Sequence, residues 1–107
     1  METKIEFANL NLKRAFEDLV DSDQRLYKEI EKAFEDILVN KYCGRNVRKK
    51  LIPRGLIKKY NINNLWIYNL RKDWRLLYTL TNSGEINILA VVLDWMNHKD
   101  YERLFKF

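Results

Sequence analysis

The sequence is poor in the residues that hold small secreted or metal-bound domains together. It contains one cysteine, Cys43, and one histidine, which excludes an internal disulfide and a zinc site built from Cys and His side chains of one chain. No stretch approaches the roughly 18 apolar residues of a membrane-spanning helix, and residues 1–7 lack the apolar run of a secretory signal. We therefore expect a cytoplasmic protein with no metal, no cofactor and no membrane partner.

Glycine and proline are also scarce, with three and one among 107 residues. A chain with so few turn-forming residues and with 47% hydrophobic side chains folds compactly rather than remaining disordered. Its length is that of a single unit, so we predict one domain over residues 1–107.

Positive charge is concentrated in the middle of the chain. Residues 1–40 carry a formal net charge of −4, residues 41–75 of +10 and residues 76–107 of −1. Like charges in one segment repel one another, so the middle third indicates a surface for a polyanion. The alternative is that this segment pairs with the acidic first third, although four excess acids cannot neutralise ten bases.

The spacing of apolar residues divides the chain into a helical and a β part. Apolar residues recur every three or four positions on both sides of Asp21-Ser22-Asp23, which predicts a helical hairpin over residues 9–43. After Gly44 the apolar runs are rich in β-branched and aromatic residues and are separated by turn signals at 71–73 and 81–84. They predict an antiparallel meander with strands at 65–70, 74–80 and 86–93.

Shorter segments complete the predicted domain. We expect a short strand at 4–7, a strand or extended piece at 51–53, a turn of helix at 55–60 and a last helical turn from residue 100 that docks on the sheet. The predicted fold class is α+β, with an N-terminal helical hairpin packed on one face of a small antiparallel sheet. The other face and the basic segment would then meet RNA.

The candidate RNA-binding residues lie where the helical part gives way to the strands. Flexible cations there would neutralise phosphates and make binding depend on salt. The nearby rings of Tyr60, Trp66, Tyr68 and Trp74 offer faces for unpaired bases, although core packing is the more frequent role of such rings. The predicted RNA-binding residues are Arg45, Arg48, Arg54, Lys58, Lys59 and Arg71.

Two residues of the C-terminal half stand out as candidates for chemistry. Arg75 interrupts an apolar strand and needs an anion, which is either a carboxylate such as Asp94 or a phosphate of the ligand. His98 is the only histidine, the residue type that most often transfers protons near neutral pH. A lone histidine is more often a surface or capping group, so its importance depends on whether it meets Arg75 in the fold.

The residues around these candidates resemble a known family. The segments 64–70, 74–78, 92–95 and 97–105 are similar to the RelE/ParE toxin superfamily, above all to RelE-type proteins of archaea and other prokaryotes. The stretches Trp74–Tyr78 (WRLLY) and His98–Phe105 (HKDYERLF) carry most of the similarity. The helical hairpin, the segment Lys50–Pro53 and the meander also come in the family's order.

The resemblance implies the toxin of a type II toxin–antitoxin pair that cleaves mRNA in the ribosomal A site without a metal. Such cleavage takes a proton from the RNA 2′-OH, stabilises the scissile phosphate and protonates the leaving 5′-oxygen. Arg75 matches the family's strand arginine that contacts phosphate, and His98 and Tyr101 match C-terminal residues used in proton transfer. Lys49 and Lys50 fall in the basic loop where some members place catalytic or RNA-binding lysines. The implied partners are a cognate antitoxin, the ribosome and mRNA.

Two other functions are compatible with the same fold. A ParE-like gyrase inhibitor acts by binding a protein machine and has no use for Arg75 and His98 as a catalytic pair. A catalytically inactive nucleic-acid-binding homologue would use the basic surface alone. Whether an antitoxin gene lies beside this one, and whether expression stops translation or induces DNA damage, separates these possibilities.

Overall fold

The computed structural model describes residues 2–83 and 87–106. Its strands are β1 (Thr3–Phe7), β2 (Arg45–Asn46), β3 (Trp66–Asn69), β4 (Trp74–Ser83) and β5 (Asn87–Asn97). Its helices are α1 (Leu10–Ser22), α2 (Gln24–Val39), α3 (Arg54–Tyr60) and α4 (His98–Phe105), with a 3-10 helix at Lys49–Leu51. Gly84 of the predicted second turn and Ile86, the first residue of the predicted third strand, lie outside the described residues.

The predicted helical hairpin is confirmed. Each helix begins at a residue whose side chain accepts a backbone N–H, which satisfies a donor that the helix itself cannot pair. Asn9 Oδ1 accepts from Leu12 at 2.9 Å, and Asp23 Oδ1 accepts from Leu26 at 3.2 Å. None of the helices in the described part of the chain combines the length and apolar composition needed to cross a bilayer.

The five strands form one mixed sheet in the order β1-β5-β4-β3-β2. Neighbours from β2 to β5 are antiparallel, and the predicted meander is confirmed. Lys72 and Asp73 join β3 to β4 with positive φ angles of 52° and 65°. This mirror-image turn matches the twist of the strands that it connects.

Strand β1 adds a parallel pair to the sheet. Thr3 lies opposite Ile88 and Phe7 opposite Val92 of β5. The short first strand and the α+β class are therefore confirmed, and the sheet differs from the predicted antiparallel one by this single parallel neighbour.

Helices α1 and α2 cover one side of the sheet, which we call the hairpin face. Trp66, Tyr68 and Trp74 pack against its core, which confirms core packing as the role of these rings. The buried residues of this core are Leu26, Ile30, Ala33, Ile37, Leu70, Leu76, Tyr78, Ala90 and Val92.

The opposite side, which we call the basic face, is covered by the 3-10 helix, α3 and α4. This corrects the prediction that the second face of the sheet is open to RNA. Apolar side chains of the covering segments fill the space above the strands, as expected of a sheet with both faces buried. The buried residues of this second core are Val47, Ile52, Leu56, Leu65, Ile67, Leu77, Leu93 and Tyr101.

The segment before α3 differs from its prediction in one respect. Ile52 and Pro53 are extended as expected, with ψ of 125° and 131°, whereas Leu51 closes the 3-10 helix. The additional short strand lies earlier, at β2, where Arg45 pairs with Ile67. The chain turns at this point because Val47 and Ile52 are both buried in the basic-face core.

Tyrosine hydroxyls tie the end of the helical hairpin to the sheet. Tyr78 Oη donates to the carbonyl oxygen of Lys41 at 2.9 Å and accepts from the N–H of Gly44 at 3.1 Å. A Cβ at Gly44 would lie 2.8 Å from this hydroxyl, so only glycine permits the approach. Tyr68 donates to Asp36 of α2. Burial raises the pKa of Tyr78, and it raises the pKa of Tyr68 to about 12.

Candidate active site

Arg75 lies near the start of β4, on the side of the strand that faces α4. It pairs with Asn69 of β3 and Met96 of β5, and its side chain is half-buried. The guanidinium lies 3.5 Å from His98 Nδ1 and 5.4 Å from the centre of the Tyr101 ring. The structure therefore brings Arg75, His98 and Tyr101 together, as the sequence required for a functional role of His98.

The structure also separates the two explanations of Arg75. Asp94 is not its partner, because no Asp94 oxygen lies within 4.0 Å of the guanidinium; Asp94 Oδ1 instead accepts from the backbone N–H of Trp95 at 2.8 Å. Burial raises the pKa of the Asp94 carboxyl, and the Trp95 hydrogen bond and the charge of Lys59 oppose that shift. Among residues 2–83 and 87–106, no carboxylate oxygen lies within 4.0 Å of the Arg75 guanidinium. Arg75 is thus a half-buried cation without a carboxylate partner among the described residues.

His98 is the first residue of α4 and is held between two charged side chains. Its Nε2 lies 3.0 Å from Glu102 Oε1, one helical turn further on, and its Nδ1 faces Arg75. Because a guanidinium can only donate, Nδ1 is the accepting nitrogen in this contact and Nε2 carries the proton that faces Glu102. The ring is 49% exposed, so a ligand can reach it.

Tyr101 is buried, and its hydroxyl is held from the far edge of the sheet. Arg45 of β2 donates to Tyr101 Oη at 2.6 Å, across 56 positions of sequence. The Tyr101 ring packs against Phe105 at 4.6 Å between centroids and lies 6.4 Å from the His98 ring. Arg45, predicted as an RNA-binding residue, therefore belongs to the site as the group that fixes the phenol.

Lys49 and Lys50 lie elsewhere. The backbone N–H of Val47 donates to the carbonyl oxygen of Leu65 at 2.9 Å, so the chain after β2 runs towards the start of β3. Arg75 lies at the other end of this strand, where it pairs with Asn69. Both lysines are exposed on the 3-10 helix and make no ion pair with another described residue.

The remaining basic residues divide into two groups. Arg48, Arg54, Lys58 and Lys59 are exposed on or beside the 3-10 helix and α3. Arg71 instead turns towards the hairpin face. Its side-chain Nε lies 4.0 Å from Glu29 Oε1, and its backbone N–H donates to the same oxygen. Among the described cations of residues 41–75, Arg71 is the one that forms an ion pair with the acidic first third of the chain.

Two contacts of the site were missed in the sequence. The spacing of His98 and Glu102, four residues apart on a helix, is a signal that could have identified Glu102 as the partner of His98. The contact of Arg45 with Tyr101 has no local signal, because it depends on how β2 and α4 pack. Within the described residues no group of three or more His, Cys, Asp or Glu side chains could hold a metal ion.

The chain matches the family model for the ParE toxin of type II toxin–antitoxin systems, parDE, over residues 8–93. The match runs from the segment before α1 into β5 and includes Arg45 and Arg75, but it ends before His98 and Tyr101. No curated protein and no solved structure matches the chain.

The match covers four fifths of the 107 residues, and the fold carries the element order that the resemblance implied. A toxin of this class is made together with an antitoxin that binds it, so an antitoxin is a partner of this chain. The resemblance noted in the sequence is confirmed: the chain belongs to the ParE toxin family, within the RelE/ParE superfamily, and is the toxin of a type II toxin–antitoxin system.

Proposed function

We propose that this toxin is a metal-independent endonuclease that cleaves mRNA on the ribosome. The observation that carries the proposal is the half-buried Arg75 guanidinium, which has no carboxylate partner among the described residues and faces the exposed ring of His98. A fixed cation beside an imidazole is the arrangement that phosphodiester cleavage needs, because charge develops on the phosphate while a proton moves.

Of the three functions that the proposed reaction needs, the cluster of Arg75, His98 and Tyr101 supplies two, stabilisation of the phosphate charge and one proton transfer, and solvent water exchanges the other proton. A base removes the proton of the RNA 2′-OH, the oxygen attacks the adjacent phosphorus, and the 5′-oxygen leaves with a proton from an acid. Arg75 stabilises the charge on the phosphate, and His98, oriented by Glu102, carries one of the two proton transfers. Tyr101, fixed by Arg45, holds Arg75 over its ring.

The exposed lysines and arginines of the basic face support the substrate class. Lys49, Lys50 and the cations around α3 extend the positive surface beyond the cluster and would track the RNA backbone. Arg75 is half-buried and His98 is 49% exposed, so both lie near the surface, where a second body that positions the substrate would aid cleavage. A ribosome that presents mRNA in a fixed conformation meets this need.

The test is single-turnover cleavage of mRNA on programmed ribosomes, with thermal unfolding measured on the same proteins. Arg75→Ala and His98→Gln should each lower the cleavage rate by about 100-fold or more. Both variants should keep the unfolding temperature of the parent, because neither leaves a buried carboxylate unpaired. The matched control is Arg71→Ala, which removes an arginine that pairs with Glu29 and should retain cleavage.

A gyrase inhibitor is the second candidate, favoured by the ParE description of the matching family model. It predicts that Arg75→Ala stays toxic, that ribosome-bound mRNA remains intact, and that expression induces the DNA-damage response. Full cleavage by a folded Arg75→Ala protein would overturn the proposed chemistry. Binding of RNA with neither cleavage nor DNA damage would identify a catalytically inactive homologue.

A further inference from the structure

Strand β1 leaves one edge of the sheet open. The N–H of Ala8 donates to Val92 at 2.9 Å and the N–H of Ile88 donates to Glu2 at 3.1 Å, so the even-numbered residues of this segment present their backbone groups to β5. The backbone groups of Thr3, Ile5 and Phe7 therefore point away from the sheet. Within the described ranges, no backbone or side-chain group pairs with them.

A groove beside this edge is partly apolar. Its lining consists of Ile5, Phe7 and Leu10 together with Glu6, Asn9 and Lys13. Leu10 is 58% exposed, which is unusual for a leucine next to a core. An uncovered edge of this kind pairs readily with another strand.

We propose that this edge is a homodimer interface, in which β1 pairs antiparallel with β1 of a second copy about a two-fold axis at Ile5. The charges of the strand favour a second copy of the chain as its partner. In this register Lys4 of one copy lies directly opposite Glu6 of the other, and the symmetry makes the same pair twice. Both side chains are exposed in the single chain.

Other arrangements of two copies are less favourable. A shift by two residues places Lys4 opposite Lys4 or Glu6 opposite Glu6, and a parallel arrangement in register sets like charges side by side. The proposed register also pairs every outward residue of the strand, with Ile5 opposite Ile5 and Thr3 opposite Phe7. The strand thus selects one register by charge and by hydrogen bonding together.

The proposed dimer is compatible with the candidate active site and does not depend on the proposed function. Arg45 lies in β2, the strand at the opposite edge of the sheet, so the joined edges leave that side of each copy free. Because the two-fold axis is perpendicular to the sheet, the exposed Leu10 of each copy comes to the same side of the joined sheet.

The test is sedimentation equilibrium of the full-length chain over a wide range of concentrations. The parent protein should pass from 13.0 kDa to twice that mass as its concentration rises. Lys4→Glu should weaken the association by about tenfold, because two attractive pairs become repulsive, and Lys4→Glu combined with Glu6→Lys should restore it. Lys28→Glu, the same charge change on the exposed side of α2, is the matched control and should have no effect.

Hydrogen exchange provides a second measurement on the unmodified protein. The amides of Thr3, Ile5 and Phe7 should exchange more slowly at high concentration than at low concentration. A mass of 13.0 kDa at every concentration would overturn the proposal. A double variant that associates as weakly as the Lys4→Glu variant would also overturn it. Slow exchange at these amides only in the complex with the antitoxin would overturn it too, because the edge would then receive an antitoxin strand.

Discussion

The two faces of the sheet differ in how they are covered and in what their polar groups do. The hairpin face is covered by two long helices, and its polar contacts, such as Tyr78 with Gly44 and Tyr68 with Asp36, are satisfied within the protein. The basic face is covered by short segments, and its central cation, Arg75, lacks a carboxylate partner within the described ranges.

Strand β4 serves both faces because its side chains alternate. Leu76 is buried in the hairpin-face core, whereas Arg75 and Leu77 lie on the other side. The hairpin face therefore stabilises the strand that carries the arginine, and the basic face leaves that arginine accessible.

The largest expected effect is a loss of stability from the hairpin-face core. Ile30→Ala removes a fully buried side chain of α2 and should lower the free energy of unfolding by about 2–5 kcal/mol. Urea unfolding measures this change. Leu38→Ala on the same helix, 49% exposed in the parent, is the control and should cost far less. A similar loss in both variants would mean that the hairpin face does not hold the fold.

A smaller effect is expected for RNA binding through the basic face. Replacing Lys49, Lys50 and Lys58 by Gln should lower affinity and reduce the slope of log K against log salt by about 2, since up to three phosphates lose a cation. Filter binding to single-stranded RNA at several salt concentrations gives the slope. The control is the same change at three exposed lysines of the hairpin, Lys13, Lys28 and Lys32. An equal slope in the two triple variants would argue against a dedicated RNA surface.

The smallest effect is a loss of stability at alkaline pH that originates on the hairpin face. Burial holds the pKa of Tyr68 at about 12 and raises that of Tyr78, against 10.0 for a free tyrosine. The folded protein retains these protons where the unfolded chain releases them, so stability is complete below pH 10 and falls as the pH rises towards 12.

Urea unfolding between pH 9 and pH 11 measures this slope. Tyr68→Phe combined with Tyr78→Phe should flatten it, whereas Tyr42→Phe, at an exposed ring, should leave it unchanged. A slope that persists in the double variant would place the responsible groups elsewhere.

The elements with strong local periodicity could be predicted from the sequence. The apolar stripes of α1 and α2 and the polar Asp21–Asp23 junction determine the hairpin, and the Arg71–Asp73 turn determines the pairing of β3 with β4. β1 could be recognised as a strand, but its parallel pairing could not, because five residues carry no information on which distant strand they meet.

The candidate site could be predicted in part. Arg75 was recognisable as a charge within an apolar strand, and His98 as the only histidine. Neither the exclusion of Asp94 nor the contact between Arg45 and Tyr101 could be derived, since both depend on side-chain geometry across the sheet. The charge count of the basic segment also could not show that Arg71 is the one described cation of this segment that pairs with the acidic helices, because composition carries no direction.

The parallel pairing of β1 with β5 determines when the sheet of the toxin can close during synthesis. Thr3 is synthesised 85 residues before its partner Ile88. The sheet cannot close while β5 is still being made, so the α1–α2 hairpin forms early from local contacts and waits for the strand that completes its core. The apolar side of the hairpin is therefore open to aggregation until β5 has been synthesised.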